Sequence, residues 1–270
     1  MPNPYFSFKQ FTVYHDRCAM KVGTDGVLLG AWTDVHSARC VLDIGTGTGL
    51  ISLMLAQRCD ARIKAIDIDR DAVEQAKGNI AASPWKDRIE VELQDVCRYS
   101  PDTRFDVIVS NPPYFVNSLK CPDEQRNTAR HTDNLDFENL IAAVSRLLHA
   151  EGTFSVIIPT DGMDVFLSTA LRYGLHLSRQ TLVHTKPGAI PKRVLLAFRR
   201  QPVQCVANDL TIELSRHVYS DEYTALTKDF YLKMQGSLSL QKRLFLHISL
   251  TFPVTLLPTV GAAPHVRPKA

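Results

Sequence analysis

Cys40-Val41-Leu42-Asp43-Ile44-Gly45-Thr46-Gly47-Thr48-Gly49-Leu50-Ile51-Ser52 is the stretch from which the rest of the chain can be read. A short apolar run, a glycine-rich turn and a second apolar run predict strand, tight turn and helix. The turn departs from the dinucleotide-binding pattern G-x-G-x-x-G, because Leu50 stands where the third glycine would be. Asp43, two residues before the first glycine, suits an ammonium group or water better than a pyrophosphate. The chain also lacks the Gly-Lys-Ser/Thr ending of a phosphate-binding P-loop.

Outward from this turn, strand and helix signals alternate as far as residue 200. Strand-like runs are Cys40–Ile44, Arg62–Asp67, Ile89–Gln94, Phe105–Ser110, Thr153–Pro159, Leu175–Val183 and Arg193–Arg200. Helix-like runs are Leu50–Arg58, Arg70–Ala82, Asp136–His149 and Gly162–Tyr173. This alternation predicts an α/β fold, a Rossmann-like and mostly parallel sheet with helices on both faces. The last two strands, joined by Lys186-Pro187-Gly188, form an expected antiparallel pair at one edge. Upstream, Thr24–Trp32 reads as a short capped helix. Asp43, Asp67, Asp95 and Asn111 all fall at or just after strand ends, where such sheets bind ligands.

Asn111-Pro112-Pro113-Tyr114 follows the fourth strand. Asn-Pro and Pro-Pro also punctuate ordinary loops, but the glycine turn upstream favours chemistry. Together the two motifs point to an enzyme that binds S-adenosylmethionine and methylates a planar nitrogen. The lone pair of an amine on a base is delocalised into the ring. Two acceptors, the Asn111 side-chain oxygen and the Pro112 carbonyl, could draw it out of plane. The prolines stiffen the loop, and Tyr114 offers a face for a base to stack on. Asp67, about twenty residues beyond the turn, stands where an acid grips ribose hydroxyls. Asp95 reads either as a contact to an adenine amine or as a helix or turn cap. Residues 116–134 form a long polar segment. Its Arg126, Arg130 and His131 read as phosphate contacts or as a solvated charged loop.

The chain has 270 residues, 45% hydrophobic and 22% charged, enough for one globular domain with a full core. A net charge of +3 describes an ordinary mixed surface and does not announce nucleic acid. Cys18, Cys40, Cys59, Cys97, Cys121 and Cys205 are scattered, with no CxxC pair or His cluster beside them. They predict reduced thiols in the cytoplasm, with no disulfide framework and no metal site; Cys40 is expected in the core. No secretory signal is visible in residues 1–10.

With its glycine turn and Asn-Pro-Pro-Tyr motif, the chain resembles the class I S-adenosylmethionine-dependent methyltransferases. Within that class it is most similar to bacterial tRNA1(Val) adenine-37 N6-methyltransferases. The similarity rests on the run from His15 to Gly26, Ser83-Pro84-Trp85, Arg126 with Arg130, the run from Arg193 to Phe198, and the run from Tyr219 to Thr227. It covers roughly residues 5 to 234. The resemblance implies a seven-stranded sheet with one antiparallel strand. It implies that Asp43, Gly45, Gly47, Asp67 and Asp95 hold S-adenosylmethionine, with Lys21 and Gly23 covering it. It implies that Asn111, Pro112, Pro113 and Tyr114 hold a flipped adenine, position 37 of the tRNA(Val) anticodon loop. Lys192, Arg193, Arg199 and Arg200 are expected to extend a basic surface.

The expected partner is therefore tRNA, with no membrane and no obligate protein partner. Three segments are expected: 1–39 covering the cofactor site, 40–234 as catalytic domain, and 235–270 as a disordered or loosely docked tail. Prolines and a histidine interrupt the apolar Leu244 to Val260 stretch, a poor match to the ~20 residues of a membrane span. A protein glutamine N5-methyltransferase would use the same motif, but usually carries a helical domain ahead of the glycine turn. Only about forty residues precede it here. The motif and the cofactor acids argue against a non-enzymatic RNA-binding module. A cytosine C5 enzyme would need a nucleophile such as Cys121, which trails the motif in a polar loop.

Overall fold

A computed structural model of the chain describes residues 3–18, 21–113 and 136–234. The chain opens with a hairpin of β1 (Tyr5–Ser7) and β2 (Thr12–Tyr14), then runs into α1 (Thr24–Trp32). A βα alternation follows: β3 (Cys40–Ile44), α2 (Leu50–Arg58), β4 (Arg62–Asp67), α3 (Arg70–Ala81), β5 (Ile89–Leu93) and β6 (Phe105–Ser110). Next come α4 (Phe137–Leu147), β7 (Leu148–Pro159), α5 (Met163–Arg172), β8 (His176–His184), β9 (Arg193–Arg199) and β10 (Val206–Thr211). A small pair, β11 (Glu213–Ser215) and β12 (Val218–Tyr219), precedes α6 (Asp221–Thr227).

Among the described residues, eight strands form the central sheet in the order β10-β8-β9-β7-β6-β3-β4-β5. Only β9 runs antiparallel to its neighbours. The strands are apolar on both sides because both faces are covered. Val41, Val109, Ile157 and Leu195 face one cluster with α1, α2 and α3. Leu42, Ile108, Phe154 and Leu196 face the other with α4 and α5.

The sheet has eight strands where seven were expected. The additional strand is β10, parallel to β8, so the β8–β9 pair is not an edge. Four of the six β10 residues are exposed, and Asn208 and Asp209 are poor strand formers. Little period-2 signal therefore exists to read. The strand is held by Leu210, by Thr181 Oγ1 donating to Asn208 Oδ1 at 2.6 Å, and by its ladder. Cys40, expected in the core, is only partly buried at the start of β3.

Helix α1 lies against α2 through two glycines one turn apart. A Cβ at Gly26 would lie 3.0 Å from Leu50 Cδ2, and one at Gly30 would lie 2.8 Å from Met54 Sδ. Leu50, which replaces the third glycine of a dinucleotide turn, is thus accommodated by a glycine on the opposing helix. Gly78, exposed within α3, has open space around it. We expect Gly30→Val to destabilise the fold by about 1–3 kcal/mol through overpacking. Gly78→Ala should stabilise it by about 0.5–1 kcal/mol through helix propensity. Urea denaturation checks both, and a neutral Gly30→Val would refute the close helix approach.

Candidate active site

The order of the sheet reverses at β3: β4 and β5 lie on one side of it, β6 on the other. A cleft of about 450 Å³ opens at this switch point, a size typical of small-molecule sites. Its walls include Gly45, Gly47, Lys21, Gly23, Asp25 and Asn111. The structure therefore brings together the glycine turn after β3, the segment entering α1 and the first residue of the motif after β6.

Three glycines of the turn have left-handed backbone, with φ of 71° at Gly45, 55° at Gly47 and 79° at Gly49. A side chain at any of them would be strained. The turn uses its own N–H groups inside the protein. Gly45 and Thr46 both donate to the Ile66 carbonyl, at 2.9 and 3.1 Å, and Gly49 donates to the Thr46 carbonyl at 2.9 Å. Gly47 donates to Asp67 Oδ2 at 2.8 Å. A pyrophosphate site displays such donors to its ligand. Here protein oxygens already occupy four of them, which agrees with the argument against a dinucleotide.

Asp43 is fully buried behind the turn. Its Oδ2 accepts from Thr46 Oγ1 at 2.8 Å and Ser52 Oγ at 2.7 Å. Its Oδ1 is buried without a hydrogen-bond partner. Burial raises its pKa to about 6, opposed by the two hydroxyls and assisted by the negative charge of Asp67. An orphaned carboxylate oxygen in this position suits a cationic ligand.

Asp67 ends β4, and its Oδ1 also accepts from the Asp69 N–H at 3.0 Å. Both oxygens keep a second lone pair. Asp95, two residues past β5, receives the Cys97 N–H at 2.9 Å and lies 3.7 Å from Arg98 Nε. It thus acts as a turn cap, one of its two sequence readings. Pro112 is buried and Pro113 exposed. Tyr114, Arg126, Arg130, His131 and Cys121 lie outside the described residues.

Lys192 and Arg193 stand at the opposite end of β9 from Arg199 and Arg200, so the four do not form the single basic surface expected. Arg193 Nε pairs with Asp25 Oδ2 at 2.9 Å across the cleft rim. Arg200 donates to the Ser145 and Leu148 carbonyls. The fold thus uses both as braces.

Gln75 and Asn79 of α3 escaped the sequence reading. Asn79 Nδ2 donates to the Tyr14 and Thr48 carbonyls, both at 2.8 Å, and its Oδ1 accepts from the Tyr14 N–H at 2.9 Å. Gln75 Oε1 accepts from the Arg17 N–H at 3.0 Å. These amides tie the N-terminal segment to α3 and, through Thr48, to the glycine turn. The available signal was two amides at i and i+4 on an otherwise apolar helix face.

The family model described as Methyltransferase small domain matches residues 22–163. A protein of Phocaeicola vulgatus named tRNA1(Val) (adenine(37)-N6)-methyltransferase is 75% identical over 234 residues, covering 87% of this chain and 100% of the relative. The chain belongs to the tRNA1(Val) (adenine(37)-N6)-methyltransferase family. A member of that family from Bacteroides fragilis is 60% identical, covering 87% of this chain and 100% of the relative. Among solved structures, a predicted O-methyltransferase from Agrobacterium tumefaciens superimposes with a TM-score of 0.59 at 20% identity. That match covers 76% of this chain and 96% of the other, and shows the shared fold. The family resemblance drawn from the sequence therefore holds.

The raised Asp43 pKa has a consequence for stability. A carboxyl that binds its proton more tightly when folded favours the fold most below the unfolded pKa near 4. That contribution is lost as pH rises through about 6. Relative to Asp43→Asn, the wild type should lose on the order of 2–3 kcal/mol between these limits. Urea midpoints across this range check it, and parallel curves for the two proteins would sink it.

Proposed function

We propose that this family member transfers a methyl group from S-adenosylmethionine to N6 of adenine 37 in the anticodon loop of tRNA1(Val). The observation that carries the reading is the position of Asn111. The first residue of the Asn-Pro-Pro-Tyr motif lines the same cleft as the glycine turn, behind which one oxygen of the buried Asp43 is unpaired. S-adenosylmethionine, when bound, supplies an electrophilic methyl on a cationic sulfur. Asp43 and the Gly45–Gly47 turn would meet its charged end. Asp67 would use its remaining lone pairs on ribose hydroxyls, and Asp95 would keep its turn-cap bond through Oδ1 while offering Oδ2 to the adenine amine. Lys21 and Gly23 would cover the ligand, which assigns residues 1–39 to the cleft and 40–234 to the catalytic domain.

Asn111 Oδ1 and the Pro112 carbonyl are the two acceptors for the amine hydrogens. Their pull localises the nitrogen lone pair for in-line attack. These residues orient the amine toward the methyl group that the cofactor would supply, and the bonding pair released would stay with the cofactor's sulfur. The nitrogen is then acidic enough to release its proton to water. No strong base is needed, only orientation. Tyr114 would stack on the base, and Arg126, Arg130 and His131 would hold the flanking phosphates. An anticodon loop is single-stranded, so extruding the base costs less than in a duplex. No helix among the described residues is long and apolar enough to cross a membrane. The reading places the enzyme in the cytoplasm with tRNA.

Purified protein should transfer labelled methyl to unmodified tRNA1(Val) and leave a glutamine-bearing peptide unlabelled. Asn111→Ala should lower turnover by about 100-fold or more while calorimetry shows unchanged cofactor affinity. Label on the peptide alone, or full activity of the variant, would overturn the reading.

A further inference from the structure

A second hollow lies at the opposite rim of the sheet and encloses about 350 Å³. Its floor is the α1 face of β7 and β9. Farther along this face, Ile157 and Leu195 are large and buried under the helices. Toward the rim the pattern changes. Ser155 pairs with Ala197, and Thr153 pairs with Arg199. Small side chains leave space that a Leu or Ile would fill. Helix α1 ends above this space at Trp32, and the connection from β9 to β10 closes its side with Val203 and Gln204.

Two observations point to an anionic occupant. The first is Ser155. It lines the hollow and is 1% exposed, and its hydroxyl has no hydrogen-bond partner. A buried hydroxyl normally finds one. The second is charge. Arg179 and Arg199 both line the hollow from neighbouring strands, with Arg179 paired to Ala197, two residues before Arg199. The half-buried Arg179 guanidinium lies 4.1 Å from the Trp32 ring centroid and donates to the Trp32 carbonyl at 3.2 Å. Arg199 makes no side-chain hydrogen bond or ion pair among the described residues. Arg58 adds a third positive charge nearby and donates to the Gly30 and Thr33 carbonyls. Among the described residues, Asp34 is the one acid lining the hollow. Two lining cations thus exceed one lining anion, before Arg58 is counted.

We propose that this hollow binds a phosphate group. A tetrahedral oxyanion presents acceptors in several directions. It can take the Ser155 hydroxyl at the floor and guanidinium N–H groups from two walls together. A carboxylate has its acceptors in one plane, so it reaches fewer of these donors at once. The phosphate belongs either to a small phosphate ester or to the RNA backbone.

The test uses the full chain and inorganic phosphate. Its melting temperature is followed in potassium phosphate and in potassium chloride of matched ionic strength. The wild type should show a saturable rise specific to phosphate. Arg199→Gln and Ser155→Ala should lose most of that rise. Ser155→Ala should also melt no lower than wild type without phosphate, since it removes an unpaired hydroxyl. No rise, or equal rises in all three proteins, would mark a general salt effect and overturn the site. A second arm separates the sources and rests on the tRNA reading, whereas the phosphate titration does not. If Arg199→Gln raises KM for tRNA about threefold or more, RNA is the source. If KM is unchanged while the phosphate response is lost, a free phosphate ester is the ligand.

Discussion

The oxygens of β4 close the Gly45–Gly49 turn, and the rest of the site depends on that closure. The Ile66 carbonyl takes two N–H groups of the turn and the Asp67 carboxylate takes a third. A turn with three left-handed residues would otherwise expose unpaired donors between a strand and a helix. Pairing them with the neighbouring strand locks the turn to β4, sets where α2 begins, and leaves Asp43 sealed behind it. It also removes the donors that a pyrophosphate would need. One set of hydrogen bonds therefore both builds the cleft and narrows what it can hold.

The N-terminal segment is held against the domain by a separate set of contacts. Phe8 and Phe11 stack at 4.7 Å, and Phe11 meets Trp85 edge-on at 5.7 Å. Lys9 N–H donates to the Phe230 carbonyl, so the two ends of the described domain pair. Gln75 and Asn79 then hold Arg17 and Tyr14 against α3. The apolar contacts supply most of the driving force, while the amides set the register of the segment against α3.

Burying Asp43 has an energetic consequence. Its two hydroxyl partners stabilise the charge only in part, because one oxygen remains unpaired. Buried, incompletely satisfied acids are found where a charge must be met. A cationic group beside Asp43 would relieve this cost.

The sequence by itself determined the elements with strong local periodicity. Leu50–Arg58, Cys40–Ile44, Arg62–Asp67 and Phe105–Ser110 have the limits that apolar runs and flanking turns predict. It also determined that Asp43, Asp67 and Asn111 share one rim, because polar residues at the ends of parallel strands must do so. Tertiary structure decided what local signals do not carry. β10 exists because β8 offers it a ladder, although its own residues are mostly polar and exposed. Asp95 is a turn cap because of where Cys97 and Arg98 fall beside it. Arg193 and Arg200 became braces because Asp25 and two carbonyls far away in sequence reach them. Periodicity records which face of an element is buried, whereas the partner of a charge is chosen by the fold.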